Sequence, residues 1–427
     1  MPPELLRSLS HRNFRLFFLG QSISLIGTWM QQVAMSWLVY EITGSAWWLG
    51  VVAFSSQIPS IIAPVAGVII DRVNRHRLVI ATQSAAMIQA SILAALTLGG
   101  VVQVWHVIVL SVVIGVVNAF DMPGRQSFLS EMIERREDLS NAIALNSSMF
   151  NGARLIGPAL AGIVLALTSP GVCFFINALS FVAVLIALLA MRVPPKSNPL
   201  HTKNLLAGLR EGFAYAFGFA PIRALLLLVA FVSLIGLSYS VLLPVFATRE
   251  LEAISLESWP KWLVGLLPEF LHRALEREAS TLGLLSASAG VGALIGAVLL
   301  ASRKTVLGLG RWITFMPATL GVAIVGFSYA RSLQPALLCL VAAGFAGMMQ
   351  MASTNTVLQT IVEEDKRGRV MSLYTLAFMG TAPLGSLLAG YSADLIGAPL
   401  TVRLAGICCV AASLVFATQF HTLRSLI

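Results

Sequence analysis

Apolar residues in this chain come in long runs with few polar interruptions, separated by mostly short polar turns, not in the alternation of a half-buried strand. A bilayer core of about 30 Å requires about 20 apolar residues in helical form. Twelve segments meet that length, at approximately 15–40, 46–70, 78–99, 103–121, 141–167, 171–191, 222–247, 281–301, 311–330, 333–358, 371–395 and 399–420. Several contain proline, as at Pro59 and Pro64. Membrane helices tolerate this because neighbouring helices satisfy the released backbone groups. The pattern predicts an all-α membrane protein of twelve transmembrane helices.

Composition sharpens that expectation. Apolar residues make up 57% of the 427 residues and charged ones 11%, where a soluble chain carries about 25% charge. A mean hydropathy of +0.85 excludes disorder. The net charge of +9 would suggest nucleic acid in a soluble domain. Here the basic residues lie between apolar runs, so no nucleic-acid partner is expected and the charge is a topology signal. With the N-terminus in the cytoplasm, 21 of the 28 basic residues fall on the inner side, which places both termini inside. The first apolar run follows Arg12 and Arg15 without a small-residue cleavage site and reads as a retained helix. Cys173, Cys339, Cys408 and Cys409 all lie in apolar runs without metal spacing, so buried thiols are expected and no metal or cofactor.

The chain repeats itself. The stretch 126–133 followed by Gly157-Pro-Ala-Leu-Ala-Gly162 parallels the stretch 355–362 followed by Gly385-Ser-Leu-Leu-Ala-Gly390, at an offset of 228–229; Gly67 and Gly296 share that offset. Two parallel six-helix halves follow: 1–191, a connector at 192–221, and 222–427. Such halves enclose a midplane site. The connector is Pro-rich at 193–195, and its amphipathic stretch 205–213 fits a short surface helix.

The strongest local motif is Gly67-Val-Ile-Ile-Asp71-Arg72-Val-Asn-Arg75-His76-Arg77, in the tight turn after the second run. Glycine permits close helix contact, the acid suits a helix N-terminus, and the arginines suit a carboxylate or lipid headgroups. The same residues would serve as a simple basic topogenic loop. Gly67, Asp71, Arg72 and Arg75 resemble motif A of the major facilitator superfamily, although Asn74 and His76 depart from it. The resemblance implies a cytoplasmic gate in which Asp71 meets the start of span 11 and Arg75 pairs with Asp121. The second half carries Leu300 where Asp71 would map, so the latch is one-sided or replaced by Asp365-Lys-Arg-Gly-Arg369. In the fifth run, Arg154, Gly157, Pro158 and Gly162 resemble motif C, the Gly-Pro signature of exporter branches. Arg154 is expensive within a span and should face the bundle interior. It reads as an anion-attracting site or as a structural arginine bonded to carbonyls.

Ser10-His-Arg-Asn-Phe-Arg-Leu-Phe-Phe-Leu-Gly-Gln21, Gly27-Thr-Trp-Met-Gln-Gln32, Asp121-Met-Pro-Gly-Arg-Gln126 and Arg367-Gly-Arg-Val-Met-Ser-Leu-Tyr374 extend the resemblance over both halves. They are similar to the branch holding the bacterial enterobactin exporter and its drug-efflux relatives. The branch implies proton-driven export, but none of the predicted spans holds an acid near its centre. Asp121 is the candidate coupling acid, or else a static latch partner. Polar groups suited to a cavity are Gln21, Ser24, Thr28, Gln31 and Gln32 in span 1, Asn118 in span 4, and Asn146 and Asn151 in span 5. The second half adds Tyr239, Gln350, Asn355 and Tyr374. Among so many apolar residues they suggest a large cavity with few polar fixings, suited to a bulky amphipathic cargo.

The sequence thus reads as a monomeric small-molecule and proton transporter, multi-pass in a bacterial inner membrane. A lipid or lysolipid flippase and a non-transporting sensor, with lipid as the partner, are the alternatives. A membrane enzyme fails because no Ser–His–Asp set, HExxH or metal cluster is present. Where relatives have a short turn, 248–280 inserts a stretch with helical period, predicted as one helix or two broken at Pro268 on the outer leaflet. If this insertion only rests on lipid, deleting 252–278 leaves export intact. Loss of export in that deletion, measured in cells with normal protein levels, would make it a lid or a dock.

Overall fold

The computed structural model describes residues 4–70, 72–193, 213–252, 268–303, 305–364 and 366–419. Asp71, Asp365, the connector helix at 205–213 up to residue 212, and residues 253–267 of the insertion lie outside the described residues.

Every one of the twelve predicted runs is helical. α1 is Arg12–Thr43, α3 Arg75–Leu98, α4 Val104–Leu129, α5 Leu139–Leu167 and α6 Pro170–Leu189. α8 is Glu278–Ala301, α9 Leu309–Tyr329, α10 Leu333–Ile361 and α12 Ala398–Gln419. The remaining three are broken. α2 runs through Ala46–Gln57, a 3-10 segment Ile58–Ile62 and Ala63–Ile70. α7 runs over Ala220–Glu250 and α11 over Arg367–Ile396. Among the described residues, ten helices are long and apolar enough to cross a membrane. α1 and α2 fall outside that set for local reasons. α1 carries Gln21 and Gln31 buried in its interior-facing side, and α2 is interrupted where Pro59 and Pro64 lack the N–H that an α-helix would use.

The helices pack in matching patterns. α2 packs on α4 as α8 packs on α10, α3 on α4 as α9 on α10, and α3 on α6 as α9 on α12. Two seams join the first six helices to the last six, α5 against α8 and α2 against α11. Lipid tails are as apolar as leucine, so helix association here rests on close packing and interhelical polar bonds. Small residues supply the closeness. A Cβ on Gly283 would lie 2.6 Å from the Gly162 Cα and 2.8 Å from the Pro158 carbonyl oxygen. A Cβ on Gly390 would lie 2.6 Å from the Ala46 carbonyl oxygen. The Gly-Pro motif read from the sequence is therefore half of a backbone-to-backbone seam, with Gly157 seated against Trp29 of α1.

Helix α7 departs from the continuous helix predicted at 222–247. It passes from the α-helix Ala220–Phe231 into a π turn at Val232–Gly236, a 3-10 turn at Ser238–Leu242 and a second π turn at Phe246–Glu250. Pro244 removes one backbone donor from this run, and Gly236 sits tightly against Cys409 and Leu320. Such irregular turns commonly mark functional positions. Of the insertion, the described part is a helix at Glu269–Leu275 that starts directly after Pro268 and packs on α5.

The two seams converge at the end of the bundle away from the N-terminus, here the far end. Alanine at Gly283 or Gly390 is expected to weaken far-end closure by about 1–3 kcal/mol, the usual cost of overpacking. In a background without native cysteines, a cysteine placed at Ser36 should then react faster with an impermeant thiol reagent added from the far side. Unchanged labelling would show that these seams do not hold the closure.

Candidate transport site

At the far end, polar contacts tie the halves together. Asp394 of α11 accepts hydrogen bonds from the Ser45 hydroxyl at 2.6 Å and from the Ala46 backbone N–H at 2.8 Å. Its carboxylate thus caps the N-terminus of α2, where a negative charge meets unsatisfied backbone donors. Arg249 donates to the Gly44 carbonyl at 3.3 Å and lies over the Tyr40 ring. Trp47 meets Tyr391 edge-on at 6.0 Å. Ser280 of α8 donates to the Gly162 carbonyl at 3.4 Å.

At the near end, the described polar contacts stay within one half. Arg75 pairs with Glu131 at 2.8 Å, not with Asp121 as the resemblance implied. Asp138 holds Arg7 at 3.1 Å and His11 at 3.0 Å, and His76 bonds the Leu188 carbonyl. Among the described residues nothing lies within 4 Å of where a Cβ on Gly67 would sit, and Arg72 is exposed.

Asp121 has a different setting from the one expected. α4 does not end there but continues to Leu129, so the acid lies inside the helix and is 3% exposed. Arg125 one turn later pairs with it at 2.6 Å. Thr82 donates to it at 2.7 Å and Gln83 at 2.9 Å, both from α3. A run of charge that looked like a helix end is an internal i,i+4 pair that lets the helix continue. One acid buried among helices is therefore present after all.

Behind the far-end seal lies a central cavity of about 380 Å³. Helices α1, α2 and α5 wall it on one side, and α7, α8 and α11 on the other. Gln32, Tyr239, Arg154 and Pro158 line it, together with Trp29 and a set of serines. Most of those polar groups are spent locally. Ser36, Ser56, Gln57, Ser238, Ser240 and Ser386 each donate to a carbonyl of their own helix, and Ser233 donates to Phe378. Arg154 lies over the Trp29 ring at 5.8 Å, within cation–π range.

The other cavity candidates are placed elsewhere. Thr28 donates back to Ser24, and Asn151 back to Ser147. Gln31 donates to Gln89 and accepts from Asn177, tying α1 to α3 and α6. Gln21 and Gln350 are fully inside the packing. Tyr374 donates to the Met351 carbonyl, Asn355 accepts from Gln359, and Asn118 lies exposed while Asn146 is half-buried. Glu131, Asp394 and Ser286 were not singled out by sequence. Their signal is only positional: Glu131 and Asp394 are ordinary residues whose partners lie far away in the chain, and Ser286 is an ordinary serine that reaches the cavity wall only through the packing of α8.

A helical bundle in two matched halves around a central cavity is the architecture of a membrane transporter. The chain belongs to the transmembrane secretion effector family of the major facilitator superfamily, whose family model matches residues 5–257 and 261–425. It is 24% identical over 413 residues to the staphyloferrin A transporter of Staphylococcus aureus, covering 94% of this chain and 95% of that one. It is 28% identical over 379 residues to the multidrug efflux pump Tap of Mycobacterium tuberculosis, covering 86% and 83%. The fold matches the crystal structure of the nucleoside transporter NupG with a TM-score of 0.70 over 98% of this chain and 99% of that one, at 12% identity.

Removing the Asp121 carboxylate leaves the half-buried Arg125 guanidinium without its counter-ion and the buried Gln83 amide without its acceptor, while Thr82 keeps the Val79 carbonyl. Asp121→Ala should cost on the order of 3 kcal/mol, read as a lowered Tm of the detergent-purified protein. Asp121→Asn, which retains an acceptor for Thr82, should cost clearly less. Equal stability of all three forms would refute this account of the acid.

Proposed function

We propose that this protein exports a bulky amphipathic small molecule, of siderophore or drug-like type, across a bacterial inner membrane. In this reading 1–191 and 222–427 are the two units that rock about the central cavity, the termini lie in the cytoplasm, and the protein works as a monomer. The observation that carries it is the cavity itself. It is large, mostly apolar, walled by both halves and stopped at one end by the Asp394 and Gly162–Gly283 contacts. With the termini inside, that is a state facing the cytoplasm, ready to load cargo for export. A siderophore transporter and a multidrug efflux pump among the relatives support the cargo class.

We further propose that protons drive the cycle through Asp121. Its carboxylate is shared by an arginine and two neutral donors from α3. Protonation would release Arg125 and loosen α3 from α4. Motif A would then engage in the opposite state, with Arg75 leaving Glu131.

A lipid or lysolipid flippase is the second reading, favoured by one observation. A crevice of about 160 Å³ between α7, α11 and α12 shares Ser238 and Tyr239 with the central cavity. Its rim residues Leu388 and Leu404 are each 46% exposed on the lipid-facing side.

Inverted vesicles with an imposed proton gradient and a panel of siderophores and drug-like compounds test both. Gradient-dependent accumulation is expected for at least one compound, with the pH-driven component lost at least tenfold in Asp121→Asn. Accumulation that persists unchanged in Asp121→Asn removes the coupling role. No accumulation of any compound, with fluorescent lysolipid translocated instead, establishes the lipid reading.

A further inference from the structure

Eleven polar side chains line the central cavity, and seven of them are satisfied by backbone carbonyls as described above. Four are not: Gln32, Arg154, Tyr239 and Ser286. Among the described residues, nothing accepts a hydrogen bond from the Arg154 guanidinium and no carboxylate pairs with it. None of the residues lining the cavity is an aspartate or glutamate. Tyr239 lines the same cavity as Arg154 and is 6% exposed.

A cation inside a membrane bundle is costly unless something neutralises it. The Trp29 face offsets part of that cost, and Trp29 is itself held edge-on by Phe150 at 5.7 Å. Withdrawal is blocked as well. The Arg154 backbone carbonyl lies against Gly290 of α8, where an added Cβ would sit 2.9 Å away, so α5 cannot turn the guanidinium out of the cavity without opening the seam. Five N–H donors in a planar fork share this cavity with a phenol and a serine hydroxyl, and no carboxylate lines it. That geometry suits a carboxylate, which can take two parallel bonds from arginine.

Resting on the export reading above, we propose that Arg154 with Tyr239 forms a subsite for a carboxylate on the cargo, whose apolar body lies against Trp29 and the aliphatic wall. The cargo is thus an amphipathic organic anion, and Arg154 selects against neutral and cationic analogues. The competing structural role, an arginine bonded to carbonyls of a neighbouring helix, has no such bond among the described residues.

The test uses the full chain in lipid nanodiscs and three probes with one apolar body: naphthaleneacetate, its methyl ester and naphthylethylamine. The acid should bind at least tenfold more tightly than the ester, equivalent to about 1.4 kcal/mol, and the amine should be weakest. Arg154→Gln should erase the preference for the acid while leaving ester affinity within twofold, and Arg154→Lys should keep part of it. The wild-type comparison of acid with ester needs no variant, so it decides the matter even if the substitutions unfold the protein. Equal binding of acid and ester, no binding of the acid, or an Arg154→Gln protein that discriminates as the wild type does would each overturn the subsite. Export of compounds without charge discrimination would overturn the subsite and leave the export reading standing. Acid-selective binding without transport of any acid would do the reverse.

Discussion

The architecture depends on how closely two backbones can approach at the seams between the halves. In lipid there is no hydrophobic gain from burying one apolar helix against another, so contact distance and polar bonds decide which helices associate. Gly162 against Gly283, and Gly50 against Gly390, bring α5 to α8 and α2 to α11 at backbone contact. Once these seams are set, Asp394 can reach the N-terminus of α2, and Arg249 can reach Gly44. The cavity is the space left behind that closure.

These same contacts suit a cycle of two states. A seam of small residues stabilises the closed arrangement through many weak contacts, and a few polar bonds at its edge can be exchanged for water when it parts. Asp394 is well placed for this, since it is exposed and its partners belong to the opposite half. Within the first half, by contrast, Gln31, Gln89 and Asn177 form a buried amide chain across α1, α3 and α6. Bonds of that kind have no water to fall back on, so they hold these three helices together more firmly than exposed bonds would. The irregular α7 sits between the cavity and the lipid-facing crevice, and its loosened hydrogen bonding makes it the element best able to bend.

The chemistry of the cavity follows from local satisfaction of polar groups. A serine within a helix bonds the carbonyl one turn back and presents little to a ligand. What remains available is a long amide at Gln32, a phenol at Tyr239, the hydroxyl of Ser286 and the charge of Arg154. This explains how a wall with eleven polar side chains still behaves as largely apolar. It also explains why counting polar residues along the sequence overstates the number of groups that can meet cargo.

Much of the fold is already written in the chain. The apolar runs located the helical segments, ten of them long and apolar enough to span a membrane among the described residues, because a span must be about 20 residues whatever packs around it, and the Gly-Pro motif marked a face for close helix packing. The same reasoning located Arg154 in the interior, since a charge in a span has nowhere cheaper to go. What the linear order could not carry is pairing at a distance. Arg75 meets Glu131 and not Asp121, because α4 continues past an acid whose charge is met one turn later by Arg125. Gln32 lines the cavity while the adjacent Gln31 ties helices together, because a step of one residue turns about 100° around a helix. Hydropathy depends on each residue alone and is legible from sequence. Which face of each helix looks into the cavity depends on the packing of all the others, and only the tertiary structure decides it.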